Sequence, residues 1–178
     1  MIDTAGRYLS DEQSAHEFTG FLKLLRRQRR RPAINGLVLV VSLPEILSAS
    51  QEERGVLSTQ LVARIQQYSA CLGVTPPVYL MLSKTDLLPG FHAVFDGLDA
   101  AARQQPLGMT FDPGVLRKQG MRQVLEGKFS ALLQRLNQHI GAQVSRSAEG
   151  AIERLQFPRY LADMSGVLAD FLAPFDCT

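Results

Sequence analysis

Two short stretches carry side chains that could do chemistry together. Asp3-Thr4-Ala5-Gly6 sets a carboxylate and a glycine amide three residues apart. A carboxylate can bind magnesium, often through water, and a backbone N–H can donate to a phosphate oxygen. Ser83-Lys84-Thr85-Asp86 directly follows the apolar run Val78 to Leu82. There the aspartate could accept hydrogen bonds from a base edge, with the lysine stem packed along the ring. Asp3, Gly6, Lys84 and Asp86 are thus candidate ligand-binding residues, with Asp3 the one suited to magnesium. The plainer alternative for the second stretch is a surface turn closing a strand, with Lys84 and Asp86 both solvated. A phosphate cradle needs several consecutive backbone amides at a helix N-terminus, and the sequence contains no Gly-Lys-Ser/Thr. This stretch is accordingly expected neither to hydrolyse nucleotide nor to bind GTP tightly, and it carries no assigned catalytic residue or cofactor of its own.

A third cluster is basic. Arg26, Arg27, Arg29, Arg30 and Arg31 crowd together just before Pro32. They could touch phosphate, acidic lipid or an acidic protein face. Cations are also favoured at a helix C-terminus, and Pro32 stops a helix there, so a solvated helix end accounts for them as well. His16, His92, His139, Cys71 and Cys177 show no metal-ligand spacing.

The elements that must position these groups follow from periodicity. Ser10 to Gln13 reads as a capping box opening a helix through Phe18, Phe21, Leu22 and Leu25 to about Arg30. Leu37 to Leu43 is apolar on both faces and bounded by Asn35-Gly36 and Pro44, as a buried parallel strand requires. A second capping box, Ser50 to Glu53, opens a helix with Leu57, Leu61, Ile65, Tyr68 and Leu72 on one stripe. Val78 to Leu82 is the next strand, so the order strand, helix, strand fits a parallel crossover. Pro89-Gly90 starts a helix through Phe91, Phe95 and Leu98, and Leu107 to Phe111 is predicted as a third short strand. Beyond Asp112-Pro113 only helices are expected. They are one broken helix or two successive ones over Leu116 to Ile140 with a stop at Gly141, then Val144 to Leu155, then Tyr160 to Leu172, the last two separated by Phe157-Pro158. The domain reading is 1–111 for the α/β part and 112–178 for a helical extension.

Of the 178 residues, 46% are hydrophobic and 20% charged, and the net charge is +2. That composition fits a packed core rather than disorder, and the charge gives no reason to invoke nucleic acid. The longest apolar run is far too short to span a bilayer, and the first residues lack the basic and apolar regions of a signal peptide.

With these pieces in place the sequence resembles a known family. The first stretch matches the DxxG box of GTPases and the second their [NT]KxD box, with Ser83 departing from the usual Asn or Thr; the match implies nucleotide-binding roles, Asp3 and Gly6 at the magnesium and γ-phosphate and Lys84 and Asp86 at the base of GTP or ATP. More diagnostic is the pairing of Arg31-Pro32-Ala33-Ile34-Asn35-Gly36 with Ser83-Lys84-Thr85-Asp86, and the likeness continues through Leu87, Gly90-Phe91, Arg103-Gln104 and Gly108 to Phe111. Together with Phe157-Pro158 and Phe171-Leu172 they are similar to the TssM/IcmF family over nearly the whole chain. A Phe at 18 or 21 stands where many relatives carry Trp, and this chain has none. The resemblance implies an α/β fold with a partial P-loop-NTPase-like parallel sheet flanked by helices, the second half of a GTPase-like domain, followed by an all-helical extension. It implies a structural component of the type VI secretion inner-membrane complex, on the cytoplasmic face of the bacterial inner membrane. A TssL-like inner-membrane protein and baseplate components would be its partners. The alternative is an active GTPase or ATPase whose turnover drives secretion. With the phosphate-loop strand missing, the strand Leu37 to Leu43 would have an uncovered edge, open to self-association or to the chain's own Ile2 to Thr4.

Overall fold

The computed structural model describes residues 12–28, 34–146 and 149–177. Helix α1, Glu12–Gln28, carries Arg26 and Arg27 in its last turn; the capping box expected at Ser10 lies outside the described residues. Strand β1, Leu37–Ser42, is β-branched and leucine-rich, as a pleated and packed strand requires. It ends one residue earlier than its apolar run, because Leu43 and Pro44 begin a short helix, α2, Leu43–Ser48. Proline in a first helical turn gives up an amide that would have no partner anyway, so the run turns from strand to helix there.

Helix α3, Gln51–Leu72, starts on a complete capping box. The Glu53 amide donates to Ser50 Oγ (3.2 Å), and the Ser50 amide donates to Glu53 Oε2 (2.7 Å). It ends on Gly73, whose positive φ of 69° lets the chain turn towards strand β2, Val78–Ser83. The strands pair in parallel, with Leu37 opposite Val78 and Ser42 opposite Ser83. The fold is thus α/β, a partial parallel sheet flanked by helices, and its sheet has two strands among the described residues.

The predicted third strand is absent. Residues 107–111 have no regular structure, although Met109 and Phe111 pack on the core. Pro106 cannot donate to a ladder and Gly108 has no side chain to pack, so two anchoring side chains hold the segment instead. Helix α4, Phe91–Phe95, stops before Leu98, and α5, Ala100–Arg103, is capped by the Asp99 carboxylate. Asp112 caps α6, Pro113–Gln119.

The long helices α7, Met121–Arg146, and α8, Ala151–Leu172, depart most from expectation. Gly141 does not stop α7, which runs on to Arg146, and Pro158 sits inside α8, which begins at Ala151. Proline in a helix interior costs roughly 3 kcal/mol. Against that, Phe157, Pro158, Leu161, Met164, Leu168, Ala169 and Phe171 are all buried along the same helix. Burying one large apolar side chain contributes about 1.5–3 kcal/mol, so tertiary packing outweighs the local break.

One apolar cluster joins the sheet to these helices: Val41, Leu43 and Ile46 meet Leu61, Leu88, Val94, Phe129, Ile140 and Phe157. A smaller cluster holds α1 on α3 through Leu22, Tyr68 and Leu72, with Phe18 edge-on to Tyr68 at 5.1 Å. Leu39 and Val41 are buried, and Leu80 and Leu82, opposite them, are partly buried; Val38, Val40, Tyr79 and Met81, on the other face, are exposed. Expected to lie buried on both faces, β1 is covered on one.

Candidate functional site

Parallel strands deliver their C-terminal ends to one rim, and open α/β sheets bind ligands outside that rim. Here the rim is built by Ser42 and Ser83, paired across the sheet. Ser83 Oγ donates to the Val41 carbonyl at 3.3 Å, tying the two strand ends together. Ser42 Oγ is buried and makes no hydrogen bond.

The next residue, Lys84, has φ 60° and ψ 31°, the one non-glycine with positive φ among the described residues. A left-handed conformation costs a side-chain-bearing residue on the order of 1 kcal/mol. It turns the chain sharply out of β2 into a single 3-10 turn, Thr85–Leu87, closed by the Leu87 amide on the Lys84 carbonyl (3.3 Å). Lys84 and Asp86 are therefore both exposed at the C-terminal end of β2, as the position of their motif predicts. Lys84 Nζ lies 3.5 Å from Glu45 Oε1. Both groups are more than half exposed, so the pair is worth about 0–1 kcal/mol. Its consequence is positional: it bridges the turn after β2 to the helix after β1.

Sequence reasoning missed Glu45. The signal was present, since Leu43-Pro44-Glu45 puts a proline and an acid in a helical first turn, but the apolar strand pattern masked it. Beyond the rim, Gly90 fastens the site to the helical layer. Its φ is 80°, and a Cβ there would lie 2.3 Å from the Glu153 carbonyl oxygen of α8. Arg154 Nε donates to the Ala93 carbonyl (3.0 Å) and Gln143 Nε2 to the Val94 carbonyl (3.2 Å), so α4 is held from α8 and α7 together.

The other candidate residues are not brought to this rim. Asp3 and Gly6 lie outside the described residues, as do Arg29, Arg30 and Arg31. Arg26 donates to the Cys71 carbonyl (3.3 Å), and its guanidinium fills the space that a Cβ on Gly73 would need. It serves the C-terminus of α3, which leads into the start of β2, at the opposite end of the sheet from Lys84. Arg27 is exposed. Among the described residues no three His, Cys, Asp or Glu side chains group to hold a metal. Nor is any helix among them long and apolar enough to cross a membrane.

A family model described as the IcmF-related N-terminal domain matches residues 11–175. The chain belongs to that family. It is 37% identical over 180 residues to "Type VI secretion system component TssM1" of Pseudomonas aeruginosa. That alignment takes in 97% of this chain and 16% of the relative, so the chain spans about a sixth of the TssM1 length. No solved structure matches. The matched range contains Arg26, Lys84 and Asp86, and the IcmF-related domain thus includes the whole rim; Asp3 and Gly6 precede it.

Proposed function

We propose that this chain is a structural and interaction domain of the type VI secretion inner-membrane complex, held at the cytoplasmic face of the membrane. The observation that carries the reading is the 37% identity to TssM1 across nearly the whole chain. The structure supports an interaction role rather than turnover. Its rim offers a solvated lysine bridged to Glu45 and, beside it, a solvated aspartate, and its sheet presents an apolar face to solvent. A TssL-like inner-membrane protein is the first partner to test, with baseplate components beyond it. Titrating this chain with the cytoplasmic domain of a TssL-like protein in a calorimeter should give a saturable heat. A flat titration at concentrations well above micromolar would count against the reading.

The nucleotide reading keeps one observation in its favour, the placement of Lys84 and Asp86 on a parallel-strand rim. GTP or ATP with magnesium, held by Asp3, Gly6, Lys84 and Asp86, would belong to a longer protein. On the interaction reading a fluorescent GTP analogue does not bind this chain at sub-micromolar concentration. Binding in that range, abolished by Asp86→Ala, would favour the nucleotide reading instead.

A further inference from the structure

The uncovered face of the sheet supports an interaction role, and the proposed function does not say what meets it. Val38, Val40, Tyr79 and Met81 are 53%, 59%, 59% and 55% exposed, and they are two facing pairs in the register, Val38 with Tyr79 and Val40 with Met81. Pro77, exposed just before β2, continues the same face. No charged side chain occurs in residues 36–42 or 77–83. Purely parallel sheets are almost always covered on both faces, and monomers rarely leave contiguous apolar patches of more than a few hundred Å² in water.

We infer that this face pairs with the same face of a second copy of the chain, two sheets stacking about a twofold axis. Two observations select a second copy. At these exposures the patch offers roughly 500 Å² per copy, so a pair buries about 1,000 Å², the lower bound for a specific interface and the range of weak, reversible ones. Self-pairing also brings no like charges together on the patch, and a net charge of +2 per copy gives little long-range repulsion. Stacked sheets pack about 10 Å apart with strands some 30° off parallel, so Tyr79 and Met81 can interdigitate while the Tyr79 hydroxyl reaches water at the margin. The association first suggested by the open edge of β1 is thereby moved to the face. Val40→Lys, which would wreck a strand buried on both sides, becomes a usable probe.

Sedimentation equilibrium of the chain from low micromolar to near-millimolar concentration tests this. The expected result is a reversible monomer–dimer equilibrium within that range. Val40→Lys and Met81→Lys should each weaken it at least tenfold with an unchanged far-UV circular dichroism spectrum. Val40→Thr, which keeps the β-branched shape, should weaken it severalfold even if a lysine disturbs folding. Ile152→Lys, on a still more exposed apolar position of α8, should leave it unchanged. A monomer at every concentration, including one whose face is reserved for a different protein, overturns the inference. So does a dimer indifferent to the sheet substitutions, or one weakened as much by Ile152→Lys.

Discussion

Gly90 and Glu53 show how single residues set the rim and its supports. At Gly90 the backbone must take positive φ while lying against the Glu153 carbonyl and Phe157. Alanine there adds left-handed strain to a collision with backbone that cannot swing aside, and α8 must shift away from the turn. Gly90→Ala is expected to cost about 2–4 kcal/mol, read as a drop in the urea midpoint at constant slope. Glu53 is the titrating member of its capping box. Its pKa is lowered from 4.5, first by the hydrogen bond from the Ser50 amide, then by that from the Ser50 hydroxyl. A carboxylate with a depressed folded pKa contributes stability that is complete above its ordinary value and is lost as pH falls through the lowered one. The urea midpoint of the wild type should therefore fall more steeply than that of Glu53→Gln as pH drops below about 4.5. Parallel curves for the two proteins would mean that the cap carries no pH-dependent stability. Both residues were legible in part: Ser50 to Glu53 announced the cap outright, whereas Pro89-Gly90 announced a turn but not what it leans on.

At the scale of elements, reading was good where one local signal dominated and poor where long-range packing overruled it. The strands β1 and β2 and the helix between them stood out because apolar β-branched runs and a capping box have few competing interpretations. Glycine and proline were given too much weight. Gly141 lies within α7 with open space around it, so it costs about 1 kcal/mol relative to alanine, far less than Ile140 and Val144 return by packing on the core. Pro158 is carried by six other buried residues of α8, none of which periodicity alone could rank against a break of roughly 3 kcal/mol. The 107–111 segment failed in the other direction. Alternating Met109 and Phe111 looked like a strand, yet Pro106 and Gly108 leave the ladder without a donor and a packed side chain. Lys84 and Asp86 were placed correctly for a simple reason: a polar tetrapeptide straight after a parallel strand must fall at the strand's C-terminal end. Glu45, across from Lys84, was invisible until the strand was seen to end at Ser42.

For the whole molecule, one apolar cluster runs from the inner face of the sheet through α3 into the α7–α8 pair, so the rim and the helical layer are mechanically one. That continuity suits a domain that transmits contacts within a large assembly, and the family relation points to the type VI secretion membrane complex. The most direct measurement is a segment exchange. The part of Pseudomonas aeruginosa TssM1 that aligns with this chain would be replaced by residues 1–178, and secretion of a type VI effector into the medium measured alongside the cellular level of the chimaera. Secretion restored to within a few fold of the parent is the predicted result. A chimaera that accumulates normally, yet secretes no more than a strain lacking TssM1, would contradict the proposed role.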